Sequence, residues 1–182
     1  MNELEEKVIA TKQLLDKINK QHIDIIDNPL ISFAERYHID EQIRLFNIDA
    51  KLMLSNKLDN PIYVYNDSIK PHSNAIIYNI EILQQRYSKD YIKLVNINNK
   101  IIKENMHNIN SNYKKYVKLQ NIINKIRKEL WQLKISNDSW HKRERYELED
   151  ELQENESIQT KYKNKADELR LNLLKALDNE QY

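Results

Sequence analysis

Three observations predict an all-α fold built from long helices. The 182 residues contain no glycine and no cysteine. Apolar residues recur in alternating steps of four and three along most of the chain, the period of one helical face. The three prolines, Pro29, Pro61 and Pro71, all fall in the first part, and everything after Pro71 is free of this helix breaker. Mean hydropathy of -0.82 with 40% hydrophobic and 31% charged residues fits helices that share thin apolar seams, being too apolar for a disordered tail and too polar for one filled core. The reading is an elongated coiled-coil protein with an N-terminal helical hairpin, one long central helix and a C-terminal helix.

The first helix follows from Leu4, Val8, Thr11, Leu15, Ile18, His22 and Ile25, and ends near Asp27-Asn28-Pro29. Ser32 caps the second, with Glu35 three positions on as capping-box partner, and Ile39, Ile43, Phe46, Ala50 and Met53 form its buried stripe. Joined by a few residues, these two helices predict an antiparallel hairpin over 1–59. Residues 60–72, bounded by Pro61 and Pro71, read as a connector, with the β-prone Ile62-Tyr-Val-Tyr65 partly extended. From a cap at Ser73 the seam predicts a long coiled-coil helix over 73–135, about 90 Å at about 1.5 Å per residue. Its period slips by one residue between Ile101 and Ile109, and the Asn-rich stretch 105–112 marks a place for it to bend or break. Asp138 or Ser139 caps a charged C-terminal helix over 139–182, whose seam of Leu148, Leu152, Ile158, Tyr162, Ala166, Leu169, Leu173 and Leu177 is diluted by Asn155 and Gln159.

Composition excludes several chemistries. Without glycine no phosphate-cradling loop, dinucleotide fingerprint, EF-hand loop or nucleophile elbow is expected, since each needs backbone that only glycine adopts cheaply. Without cysteine there is no disulfide, thiolate metal site or thiol nucleophile, which fits a reducing compartment. The five histidines, His22, His38, His72, His107 and His141, form no His-x3-His pair and no His-Glu-x-x-His motif. The expectation is a non-enzymatic protein with no catalytic residue, no cofactor and no metal. No apolar run approaches the roughly 20 residues of a membrane span, and the acidic opening lacks the pattern of a secretory leader, so the chain reads as intracellular and soluble.

Net charge is +1, but its distribution is uneven. Residues 100–138 carry nine basic against three acidic side chains, between acidic ends at 1–60 and 139–182. Lys114, Lys115, Lys118, Lys125, Arg127 and Lys128 are therefore candidate contacts to phosphates. The alternative is that an acidic helix, from the same chain or a partner, lies against this segment and sets register. A partner-binding seam is expected at Leu4, Val8, Leu15 and Ile18 and again at Ile109, Tyr116, Leu119, Ile123, Ile126, Leu130 and Leu133. Trp131 and Trp140, either side of the last helix break, are anchor candidates at a junction or interface. Asp90 and Asn112 are polar seam positions able to fix register.

The segment Leu119-Gln-Asn-Ile-Ile123 with Ser136 and Trp140 resembles the Leu-Gln and Ser-x-Trp texture of the centromere protein H family, helical subunits of the inner kinetochore. The stretch from Ile126-Arg-Lys-Glu-Leu-Trp131 through the final helix is similar to the helical subunit seven of the mRNA-export THO complex. Each resemblance covers at most a third of the chain, and neither assigns a functional residue. The function expected is that of a scaffold subunit in a hetero-oligomeric coiled-coil complex, for example a kinetochore, spindle or other chromosome- or nuclear-associated assembly, with one or more helical protein partners. Nucleic-acid-backbone binding through 100–138 is the alternative, and a membrane-tethering rod the second.

Overall fold

A computed structural model describes residues 1–136 and 142–179, and the fold is all-α, with no strand among the described residues. The chain divides into two units, Met1–Asn96 and Ile97–Tyr182.

The first unit contains α1 (Glu3–Ile25), α2 (Phe33–Leu54), the short α3 (Pro61–Val64), a π-helical turn (Tyr65–Ile69) and α4 (Lys70–Asn96). Helices α1, α2 and α4 pack against one another pairwise, around Ile18, Ile25, Ile31, Ile39, Ile43, Phe46, Ala50, Met53, Ile69, Ile76, Ile80 and Leu83. The stripe expected on α2 is buried along its whole length. At about 1.5–3 kcal/mol for each large apolar side chain removed from water, this core outweighs local preferences of about 1 kcal/mol.

Local chemistry sets the ends of these helices. Asn2 caps α1 in a capping box: its Oδ1 accepts from the Glu5 N–H at 2.8 Å, and the Glu5 carboxylate accepts from the Asn2 N–H at 3.2 Å. The α1–α2 turn is closed by buried Asn28, whose Oδ1 accepts from the Leu30 N–H at 3.0 Å while its carbonyl accepts from Ile31 and from the buried Arg36 guanidinium. Helix α2 ends in a Schellman motif. The Lys57 N–H reaches the Leu52 carbonyl at 3.1 Å and the Asn56 N–H the Met53 carbonyl at 3.3 Å, with Asn56 at φ 57°. In a chain without glycine, asparagine takes the left-handed position.

Two expectations about the middle of the chain are corrected. Residues 60–72 are not a connector with a partly extended stretch: the chain is helical from Pro61, which occupies the first helical position, where its missing N–H costs nothing. Helical structure continues through Pro71 because the preceding turn widens. The Lys70 N–H bonds to the Tyr65 carbonyl, five residues back, so the turn before the proline departs from the α ladder that Pro71 cannot join. Tyr65 and Ile69 are buried in the core, which compensates for the irregular ladder. Ser73 is therefore no cap; it is buried in α4 and donates its hydroxyl to the Lys70 carbonyl at 2.8 Å.

The long helix expected over 73–135 is interrupted at 97–99, not at 105–112, giving α4 and, in the second unit, α5 (Lys100–Ser136). Asn99 starts α5: its Oδ1 accepts from the Ile101 N–H at 2.9 Å and the Ile102 N–H at 3.3 Å. The Asn-rich stretch stays helical, and Asn112 turns its amide back to the Asn108 carbonyl at 2.7 Å. Helix α6 (Lys142–Asn179) packs along α5 as an antiparallel hairpin, since Lys115 meets Tyr162, Gln120 meets Gln159 and Arg127 meets Glu156. Asp138, Ser139 and Trp140 lie outside the described residues.

Candidate functional site

The first unit gathers three polar groupings. His22 and Asp40 join α1 to α2 through a 2.9 Å Nε2–Oδ1 contact, half-buried. That places His22 in a helix-to-helix tie. Ser68, in the π-helical turn, donates its hydroxyl to Asp49 Oδ2 at 2.7 Å, with His72 Nδ1 3.4 Å away. A serine nucleophile needs its proton directed at a base that can carry it away, commonly an imidazole. Here the carboxylate holds it, and the grouping acts as a link between α2 and the start of α4.

The third grouping centres on Glu35, the capping-box residue of α2. Its carboxylate accepts from Ser32 Oγ at 2.9 Å, from Tyr87 Oη at 2.7 Å and from Arg86 Nη1 at 2.7 Å. Burial by itself raises the Glu35 carboxyl, but the hydrogen bonds from Tyr87 and Ser32, together with the Arg86 charge, outweigh it and hold the group below its ordinary value of 4.5. A side chain expected to serve one helix terminus thus also fastens α2 to α4. Among the described residues no three His, Asp or Glu side chains converge to hold a metal ion.

In the second unit the predicted residues separate by helix face. Ile109, Ile123, Ile126 and Leu130 are buried by the chain itself, and Tyr116, Leu119 and Leu133 are half-buried. In the first unit Ile18 is fully buried, while Leu4, Val8 and Leu15 pack on the same core. Of these residues, expected as partner-binding seams, Ile18, Ile109, Ile123, Ile126 and Leu130 are buried within the chain against α2, α4 and α6, and the others are partly covered by the same helices. Polar register is set by a residue that the seam pattern treats as a dilution. Gln159 is buried, and its Nε2 donates to Gln120 Oε1 at 2.7 Å and to the Tyr116 carbonyl at 3.3 Å. Asp90, by contrast, sits half-exposed beside Lys93 at 3.8 Å.

The six candidate phosphate contacts also divide. Arg127 pairs with Glu156 at 2.8 Å, and the Lys115 ammonium lies 5.5 Å from the centre of the Tyr162 ring, so these two serve the hairpin. Lys114, Lys118, Lys125 and Lys128 are exposed. Within the chain, the acidic-helix alternative describes the flank of α5 that faces α6, through Arg127 and Glu156. Trp131 is 64% exposed, with Ile135 one turn later at 61%. The antiparallel register brings Tyr146 of α6, 58% exposed, to about the same height.

No helix among the described residues is long and apolar enough to cross a membrane. No family model, no curated protein and no solved structure matches the chain.

Proposed function

We propose that this chain is a non-enzymatic helical interaction subunit, docking on other proteins through the end of the α5–α6 hairpin that carries Trp131. The exposure of Trp131 beside Ile135 is the observation that supports the reading. A tryptophan and an isoleucine one turn apart leave a large apolar surface in water, and tryptophan is the side chain most enriched among residues that dominate interface energetics. The reading keeps the scaffold role expected from the sequence and moves its contact surface from the heptad seam to the hairpin end.

A photo-crosslinking amino acid at Trp131 or Ile135, compared with one at Gln13 on the exposed side of α1, tests it in the native cell. The expected outcome is a discrete crosslinked polypeptide from the hairpin positions only, whose co-purification with the chain is lost on Trp131→Ala. Equal labelling from Gln13, or co-purification unchanged by Trp131→Ala, refutes the reading.

A further inference from the structure

We propose that the outer face of α5 binds the sugar-phosphate backbone of duplex nucleic acid, a site separate from the Trp131 surface. At about 100° of rotation per residue, Lys100, Lys103, Lys114, Lys118, Lys125 and Lys128 fall within one arc about 80° wide, together with His107. The arc is centred opposite the packed side of α5, where Ile109, Tyr113, Ile123 and Leu130 are buried. All seven side chains are exposed. The remaining residues of the arc up to Gln132 are Asn110, Asn121 and Gln132 itself, so it holds neither a carboxylate nor an apolar group.

The stripe runs about 42 Å at about 1.5 Å per residue. Among the described residues only Lys100 of this set makes an ion pair, with Glu104 at 3.9 Å. Helix α6 packs on the opposite side of α5, where Glu156 of its acidic run pairs with Arg127.

The chemistry of the stripe selects among polyanions. A partner helix needs apolar knobs to pack, and an interfacial membrane helix needs an apolar face to bury. This arc offers neither. A line of cations spaced by amides suits a line of phosphates, from which each bound lysine releases a condensed counterion. With no base-reading motif present, the binding is independent of base sequence.

Fluorescence anisotropy of the full chain with a labelled random-sequence DNA duplex, over a series of salt concentrations, tests the proposal. Affinity is expected to fall with salt with a log–log slope of about -4 to -5, from about 0.9 per phosphate neutralised. The triple variant Lys114→Glu, Lys118→Glu, Lys125→Glu is expected to lose at least tenfold in affinity and to flatten the slope by about 3. Its helicity is expected to stay unchanged, because these positions are exposed. A charge-matched control, Lys12→Glu, Lys17→Glu, Lys51→Glu in the first unit, is expected to retain most of the binding. Absence of duplex binding at low salt overturns the proposal, as does equal loss in the control. Tighter association with phosphatidylserine vesicles than with the duplex also overturns it, in favour of a membrane surface.

Discussion

Replacing Glu35 tests whether one carboxylate both caps α2 and fastens it to α4. The capping-box half of its role is worth about 1 kcal/mol. The Tyr87 hydroxyl donates to an ionised, half-buried carboxylate at 2.7 Å, an interaction worth about 1–2 kcal/mol net. Arg86 sits at the solvent edge and adds little. Glu35→Ala is therefore expected to cost about 2–3 kcal/mol and Tyr87→Phe about 1–2 kcal/mol, with a coupling of about 1 kcal/mol in the double variant. Urea unfolding followed by far-UV circular dichroism gives the totals, and amide exchange in the first turn of α2 localises them.

Acidity provides an independent handle on the same group. Because the folded state holds the Glu35 carboxyl below its ordinary 4.5, its contribution is complete above that value and is lost as pH falls through the lower folded value. The stability gap between the wild-type chain and Glu35→Gln is thus expected to be widest near neutrality and to narrow as pH falls below 4.5. A coupling below about 0.3 kcal/mol, or a gap that does not change with pH, refutes the double role.

Other substitutions follow from single positions. Asn56 holds the left-handed position of the α2 Schellman motif, so Asn56→Gly is expected to raise stability by about 0.5–1 kcal/mol and Asn56→Ile to lower it by about 1–2 kcal/mol, read as shifts in the urea midpoint. Gln159→Ala removes the buried donor to Gln120 and leaves space between α5 and α6, at an expected cost of about 1–3 kcal/mol, with faster amide exchange around Tyr116 and Gln120 as the local signature.

The signals legible in the sequence were those whose energetics are local. The Ser32–Glu35 capping box and the buried face of α2 lie where spacing places them, because a cap needs only a side chain and an N–H three residues away. The Asn2–Glu5 box and the Asn99 cap have the same form. Asn2 stands in an acidic opening, and Asn99 stands close to a more conspicuous Asn-rich stretch. The Glu35 latch left no local trace, since Arg86 and Tyr87 lie 51 and 52 positions away.

Composition and periodicity by themselves determined that this chain is all-α, that its first two helices meet at a turn around Asp27-Asn28-Pro29, and that residues 100–138 carry concentrated positive charge. Tertiary structure decided three further matters. Residues around Pro71 are helical because burial of Tyr65 and Ile69 outweighs the irregular turn the proline imposes. The centre of the hairpin's apolar seam, Ile109, Ile123, Ile126 and Leu130, is buried by the chain's own helices, since a seam specifies the surface it needs and not the molecule that brings it. The lysines of α5 divide between the hairpin and solvent according to where α6 packs, and a helix face is assigned only when its neighbour is in place.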